Sequence, residues 1–140
     1  MIVYAESSAV VALLLGEPKA DVAARTLGGA TRVLASTLTR IECSRAVVRG
    51  LTLGHIGRAQ ATALLRTLAE WNMGWDQIEL GDDVAERAMQ PFPVEPLRTL
   101  DAIHLASAVV ARETLGPITM VSFDERVRAN AVALGMALVP

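Results

Sequence analysis

Hydrophobic positions along the chain alternate between short unbroken runs and stretches with helical spacing, and polar corners separate the two. Ile2, Val3 and Tyr4 form a β-rich run that turns polar at Glu6-Ser7-Ser8 and resumes as Ala9 to Leu15. That is the pattern of a strand feeding a helix through a tight corner. Glu17-Pro18 interrupts, and a helix from Ala20 to Leu27 stops at Gly28-Gly29, glycine being the common stop. Arg32 to Ala35 reads as a second strand, Ser36-Thr37 introduces a helix from Leu38 to about Leu51, and Gly54 and Gly57 separate it from another at Arg58 to Met73. The latter carries Ala61, Leu64, Leu65 and Leu68 on one face, so the two read as a helical hairpin.

The second half repeats the rhythm. Trp75 to Leu80 alternates imperfectly and predicts a strand, Gly81 to Gln90 a helix, and Pro91, Pro93 and Pro96 a loop. Thr99 to Glu113 is the most apolar helix; Gly116-Pro117 ends it, a strand follows at Ile118 to Ser122, then a helix at Glu125 to Leu134 and a strand at Met136 to Val139. Strands alternating with helices predict an α/β fold whose parallel or mostly parallel sheet is covered on both faces. No internal repeat or low-complexity segment divides the chain, and the 140 residues suit one domain.

Composition narrows the picture. Hydrophobic residues make up 52% of the chain, yet the longest apolar run, Ala9 to Leu15, is far short of the ~20 residues of a membrane span. No Lys or Arg precedes Lys19, so the basic start of a secretory signal is missing and a cytoplasmic protein is the expectation. Cys43 is the single cysteine and reads as a small buried hydrophobe; no Cys/His cluster has zinc spacing. The net charge of −2 gives no global basic field, and of the thirteen cations only Lys19 is lysine. Arginine is the better fork for phosphate, although codon bias explains the excess equally well.

Four acids ask for an explanation. Glu6 follows the first strand, at the kind of corner where open α/β sheets bind ligands. On the helix from Leu38, Ile41, Ser44, Val47, Val48 and Leu51 share one arc, while Glu42, Arg45 and Arg49 share another. This is either a solvated face with an i,i+3 Glu–Arg pair or a carboxylate in a cleft backed by two arginines. Asp101 has Leu105 and Ala108 at i+4 and i+7, and an acid on an apolar stripe must be paired or bind a metal. A first-turn carboxylate after Thr99 as N-cap accounts for its place along the helix but not for the apolar face. His104 reads as a core or supporting histidine. Asp124 repeats the strand-to-helix corner of Glu6, with a plain N-cap as the bland reading and Ser122 as competitor; Glu125 reads as a solvated first-turn acid.

If the strands are parallel, Glu6, Glu42, Asp101 and Asp124 gather at one edge of the sheet. Crowded carboxylates repel unless a cation joins them. Hard oxygen donors select Mg²⁺ or Mn²⁺, which can activate water and neutralise a phosphodiester's developing charge, with arginines holding the nucleic-acid backbone.

Val3-Tyr4-Ala5-Glu6-Ser7-Ser8-Ala9-Val10-Val11-Ala12-Leu13-Leu14, Ile41-Glu42, Leu100-Asp101-Ala102-Ile103-His104-Leu105-Ala106 and Val121-Ser122-Phe123-Asp124-Glu125-Arg126 resemble, in order, the four signature blocks of the PIN domain. More narrowly, the chain resembles the VapC toxins of bacterial toxin–antitoxin operons over essentially its whole length. The resemblance implies a three-layer α/β/α fold with a mostly parallel central sheet of four to five strands and a protruding helical hairpin. It further implies a dimeric Mg²⁺- or Mn²⁺-dependent endoribonuclease cutting tRNA or ribosomal RNA, with a small VapB antitoxin over the acidic groove. By the same likeness Glu42, Asp101 and Asp124 match the family's catalytic and metal-binding acids and Ser8 matches the hydroxyl beside the first acid; beside these, Ser122 reads as a supporting hydroxyl and Arg45 and Arg49 as contacts for RNA phosphates or the antitoxin. Glu6 stands where the pattern has Asp, and a carboxylate misplaced by ~1 Å can cost on the order of 10²-fold in rate.

Other readings stay open: a PIN nuclease with an RNA- or DNA-processing role, or an impaired PIN fold that binds RNA or protein. A phosphoaspartate domain wants an aspartate nucleophile and a late lysine, which Glu6 and Lys19 do not supply. No Gly-x-Gly-x-x-Gly follows the first strand, which argues against dinucleotide binding.

Overall fold

Residues 1–139 are described by a computed structural model. The elements in chain order are β1 (Ile2–Ala5), α1 (Ser7–Leu15), α2 (Ala20–Gly29), β2 (Arg32–Ser36), α3 (Thr37–Thr52), α4 (Arg58–Gly74), β3 (Asp76–Ile78), α5 (Asp82–Ala88), α6 (Thr99–Leu115), β4 (Thr119–Val121), α7 (Glu125–Ala133) and β5 (Ala137–Leu138). The five strands form one sheet of order β3-β2-β1-β4-β5, every pairing parallel. The α/β reading of the sequence is thus realised at the upper end of its strand number.

β1 lies at the centre, and like its neighbours β2 and β4 it is buried on both faces. Successive side chains of a strand point to opposite sides, and those of β1 are apolar in both directions. Tyr4 joins Leu34, Met120, Val84, Leu105 and Val127 in one core layer, against α5, α6 and α7. Val3 and Ala5 join Val33, Val121, Val10, Cys43, Val47 and Leu68 in the other, against α1, α3 and α4. Helices therefore cover both faces, the three-layer arrangement expected of parallel strands. No helix among the described residues is long and apolar enough to cross a membrane.

The hairpin of α3 and α4 forms as the spacing predicts, turning at Gly54, whose φ of 75° is the left-handed conformation a glycine accepts cheaply. Its buried faces differ from the helical-wheel expectation. α3 buries Thr39, Cys43 and Val47, while Ile41, Val48 and Leu51 of the apolar arc are 53%, 37% and 36% exposed. The rows i, i+4 and i+8 meet the neighbouring helices, and the next row over stays in solvent. On α4, Ala61 and Leu68 are buried but Leu65 is exposed. The strand expected over Trp75 to Leu80 narrows to β3, an edge strand paired on one side only, with Leu80 exposed.

Chain order places the site. β1 leads through Glu6 into α1, β2 through Ser36 into α3, and β4 through Ser122-Phe123-Asp124 into α7. α6 runs into β4, so its first turn arrives at the same carboxyl edge. β1 has its sequence successor β2 on one side and β4 on the other, which makes this edge the point where the winding direction of the sheet reverses and ligands are received.

Candidate active site

Glu6 terminates β1 and caps α1, accepting from the backbone N–H of Ser8 at 3.1 Å. It is almost fully buried, and a buried carboxylate needs hydrogen bonds to be tolerated. They come from two serines: Oε2 accepts from Ser8 Oγ and, at 2.7 Å, from Ser122 Oγ. Each serine is oriented by a backbone donor of the loop after β4, Phe123 N–H onto Ser8 Oγ at 2.8 Å and Asp124 N–H onto Ser122 Oγ at 3.1 Å. Ser122 competes for no cap; it ties Glu6 to the loop that carries Asp124. Oε1 remains, 3.9 Å from His104 Nε2.

Glu42 sits in the second turn of α3, where its Oε1 accepts from Ser7 Oγ at 2.6 Å and lies 2.5 Å from His104 Nε2. Burial works against its charge, but the hydrogen bonds from His104 and Ser7, with the charges of His104 and Arg98, outweigh it and hold the carboxyl below its ordinary value. The i,i+3 pair with Arg45 that the sequence allows is not made.

Behind Glu42, His104 is fully buried, with Tyr4 OH 2.8 Å from its Nδ1. Burial, then the charge of Glu6, pushes the Tyr4 phenol far above its ordinary value, so it keeps its proton. With that proton given to Nδ1, the ring donates from Nε2 to Glu42. The histidine is a supporting group, as its surroundings in sequence suggest. Burial, followed by the charges of Glu42 and Glu6, pushes the neighbouring Cys43 thiol up to about 12, in keeping with a core residue.

Asp101 lies in the first turn of α6 and Asp124 caps α7, its Oδ1 accepting from the N–H groups of Arg126 and Val127 at 2.9 and 3.1 Å. Between them sits a residue the sequence reading did not single out. Arg98 Nε donates to Asp101 Oδ2 at 3.0 Å, and its Nη2 to Asp124 Oδ2 at 3.3 Å. The hydrogen bond and charge of Asp101, then the charge of Asp124, hold the guanidinium above its ordinary value. Arg98, not Thr99, occupies the N-cap of α6, without a side-chain cap bond; Thr99 is already helical. The i,i+3 spacing of Arg98 and Asp101 was the available signal.

Glu6, Glu42, Asp101 and Asp124 thus come from four separate segments to line one cleft of about 350 Å³, together with Ser7, Ser8, Arg98 and Glu17. Glu17 is a fifth acid, brought in by the Gly16-Glu17-Pro18 corner and unmarked by any periodic pattern. Arg45 and Arg49 lie outside the cleft, exposed in an adjoining groove with Leu38, Ile41, Val48 and Leu100 that opens beside Glu42.

The PIN domain family model matches residues 3–133, nearly the whole chain. The chain belongs to the PIN domain family. Within that family it groups with the VapC ribonucleases. Ribonuclease VapC35 of Mycobacterium tuberculosis is 33% identical over 139 residues, which span 98% of this chain and 95% of that protein. Ribonuclease VapC46 of Mycobacterium tuberculosis is 36% identical over 138 residues, with the same coverage. The crystal structure of Mycobacterium tuberculosis VapC20, described as a toxin that cleaves the sarcin-ricin loop, superposes with a TM-score of 0.67 over 92% of this chain and 94% of that one. Its identity is 18%, so this likeness speaks for the PIN fold alone.

The donor set of the PIN cleft is all oxygen, the chemistry of a Mg²⁺ or Mn²⁺ site. The Arg98 guanidinium spans Asp101 and Asp124 and supplies the positive charge at this end of the cleft. Among the described residues, no three His, Cys, Asp or Glu side chains are drawn together closely enough to hold a metal ion. The residues fit such an ion in kind, and in this arrangement Arg98 pairs with two of the carboxylates that would hold it.

Proposed function

We propose that this PIN-domain VapC ribonuclease hydrolyses RNA phosphodiester bonds with a divalent cation held by Glu6, Glu42, Asp101 and Asp124, and that it is the toxin of a VapBC-type pair. The observation that carries the reading is the convergence of those four acids at the carboxyl edge of a parallel sheet. Mg²⁺ or Mn²⁺ in the cleft would supply an activated water and neutralise charge on the phosphate. The chain's own residues do the rest. Ser8 and Ser122 hold one oxygen of Glu6 and leave the other, 3.9 Å from His104 Nε2, outside their hydrogen bonds. His104 and Ser7 keep Glu42 ionised and oriented. Arg45 and Arg49, exposed beside Glu42, suit the RNA backbone as it enters.

Ile41, Val48 and Leu100 form an exposed apolar lining of the groove that leads to the acids. Such a strip beside a charged cleft suits a small VapB-like antitoxin with apolar anchors and a cation for the acids. A homodimer acting in the cytoplasm on transfer or ribosomal RNA completes the reading.

RNA cleavage by antitoxin-free protein in Mg²⁺ or Mn²⁺, compared with Asp101→Asn, tests it. Cleavage that needs the cation and is lost in the variant is expected; cleavage unchanged in the variant overturns the metal site. A second reading, a PIN fold kept for binding, is favoured by one feature, the retraction of Glu6 onto its two serines. It predicts RNA retention without cleavage under both cations.

A further inference from the structure

Asp101 and Asp124 reach the cleft from different helices, and among the described residues the group that hydrogen-bonds both is Arg98. The three side chains are unequally fixed. The Asp101 side chain is 9% exposed and that of Asp124 27%, whereas that of Arg98 is 64% exposed. The anions are set in the protein, Asp124 additionally by its two cap bonds. The cation reaches in from solvent, and apart from the two carboxylates its side chain has no hydrogen-bonding partner among the described residues.

A buried carboxylate left without a partner is costly. Asp101 therefore needs some cation whether or not a metal is bound. An exposed guanidinium is a replaceable one, because ion pairs open to water contribute only about 0–1 kcal/mol and exposed side chains change rotamer in picoseconds to nanoseconds. Arg98 also cannot share the position. Its nitrogens stand 3.0 and 3.3 Å from the two carboxylate oxygens, while Mg²⁺ draws its oxygen ligands to about 2.0–2.1 Å. A divalent cation held by Asp101 and Asp124 would compete with the guanidinium for the same carboxylates.

We propose that Arg98 is an exchangeable counter-ion of the site: it holds Asp101 and Asp124 in the metal-free protein, must leave them when the divalent cation enters, and so sets the cation's affinity from within the chain. The proposal rests on the metal reading above and assigns to Arg98 a task distinct from binding RNA. Its consequence is a folded metal-free state that does not repel itself apart and that takes up metal less tightly than the four acids alone would.

The test is Mn²⁺ binding to full-length protein, without RNA, by isothermal titration calorimetry for wild type, Arg98→Ala and Asp101→Asn, with thermal melting in EDTA and in Mn²⁺ alongside. Arg98→Ala is expected to bind Mn²⁺ about 5- to 150-fold more tightly, the size of a typical coupling free energy. It should melt lower than wild type in EDTA and recover that loss in Mn²⁺. Unchanged or weaker Mn²⁺ binding by Arg98→Ala, with wild type binding normally, overturns the exchange and leaves the metal reading standing. Mn²⁺ binding absent from wild type and Arg98→Ala alike, or undiminished in Asp101→Asn, overturns the metal reading and the exchange together.

Discussion

His104 Nε2 lies 2.5 Å from Glu42 Oε1, and Tyr4 OH lies 2.8 Å from the other ring nitrogen. A buried imidazole thereby links the central strand to the α3 acid. It has no apolar substitute, because Tyr4, Ser7 and Glu42 would all lose a partner at once. His104→Ala should destabilise the protein by about 1–3 kcal/mol, the cost of leaving buried polar groups unmade. The midpoint of urea unfolding measures it, and RNA cleavage should fall further than the stability loss explains, since Glu42 is released.

Tyr4 is the sole tyrosine, so its ionisation can be read without ambiguity. Its folded-state value is raised, by burial first and the charge of Glu6 second. The unfolded chain therefore loses that proton first as pH rises, and stability must fall above the ordinary 10.0 while remaining untouched by this group below it. The phenolate absorbance should appear together with unfolding. A phenolate band rising while circular dichroism stays native would contradict the buried pair.

At low pH Glu42 contributes, its folded-state value being depressed below the ordinary 4.5. Its contribution is complete above that value and is lost as pH falls through the lower, folded-state one. Stability should decline in that acid window for wild type and decline less for Glu42→Gln, as followed by urea unfolding at stepped pH.

Asp124 both caps α7 and faces Arg98. Asn keeps a capping oxygen without the charge, whereas Ala keeps neither. Asp124→Ala should lose about 0.5–2 kcal/mol of stability, and Asp124→Asn much less, with cleavage lost in both. Thermal melts beside cleavage assays separate the two roles.

Glu6 occupies a position where the family pattern has Asp, and its carboxylate is held by Ser8 and Ser122. Glu6→Asp should keep or raise activity and Glu6→Gln lower it. Indifference to both would reduce Glu6 to a cap of α1.

The alternation of apolar runs was enough to announce an α/β chain with parallel strands, because a strand buried on both faces and a helix buried on one leave different periods behind them. It also marked Glu6, Asp101 and Asp124, since each interrupts an apolar pattern at a helix start. Local periodicity was weaker where tertiary contact chooses the face. On α3 it grouped Ile41, Val48 and Leu51 with Val47, yet only Val47 is buried. The pairing of Glu42 with His104 joins residues 62 apart, and that of Ser122 with Glu6 joins residues 116 apart. Glu17 showed only as part of the Glu17-Pro18 break and Arg98 only by its i,i+3 spacing to Asp101; they enter the cleft because a corner and a loop end there. What the sequence determined by itself is the kind of sheet and the carboxylates it could gather, since both follow from local chemistry and period. Which cation stands among those carboxylates, and which hydroxyls and ring hold them, was decided by the tertiary structure, because such contacts depend on where four separate segments meet in space.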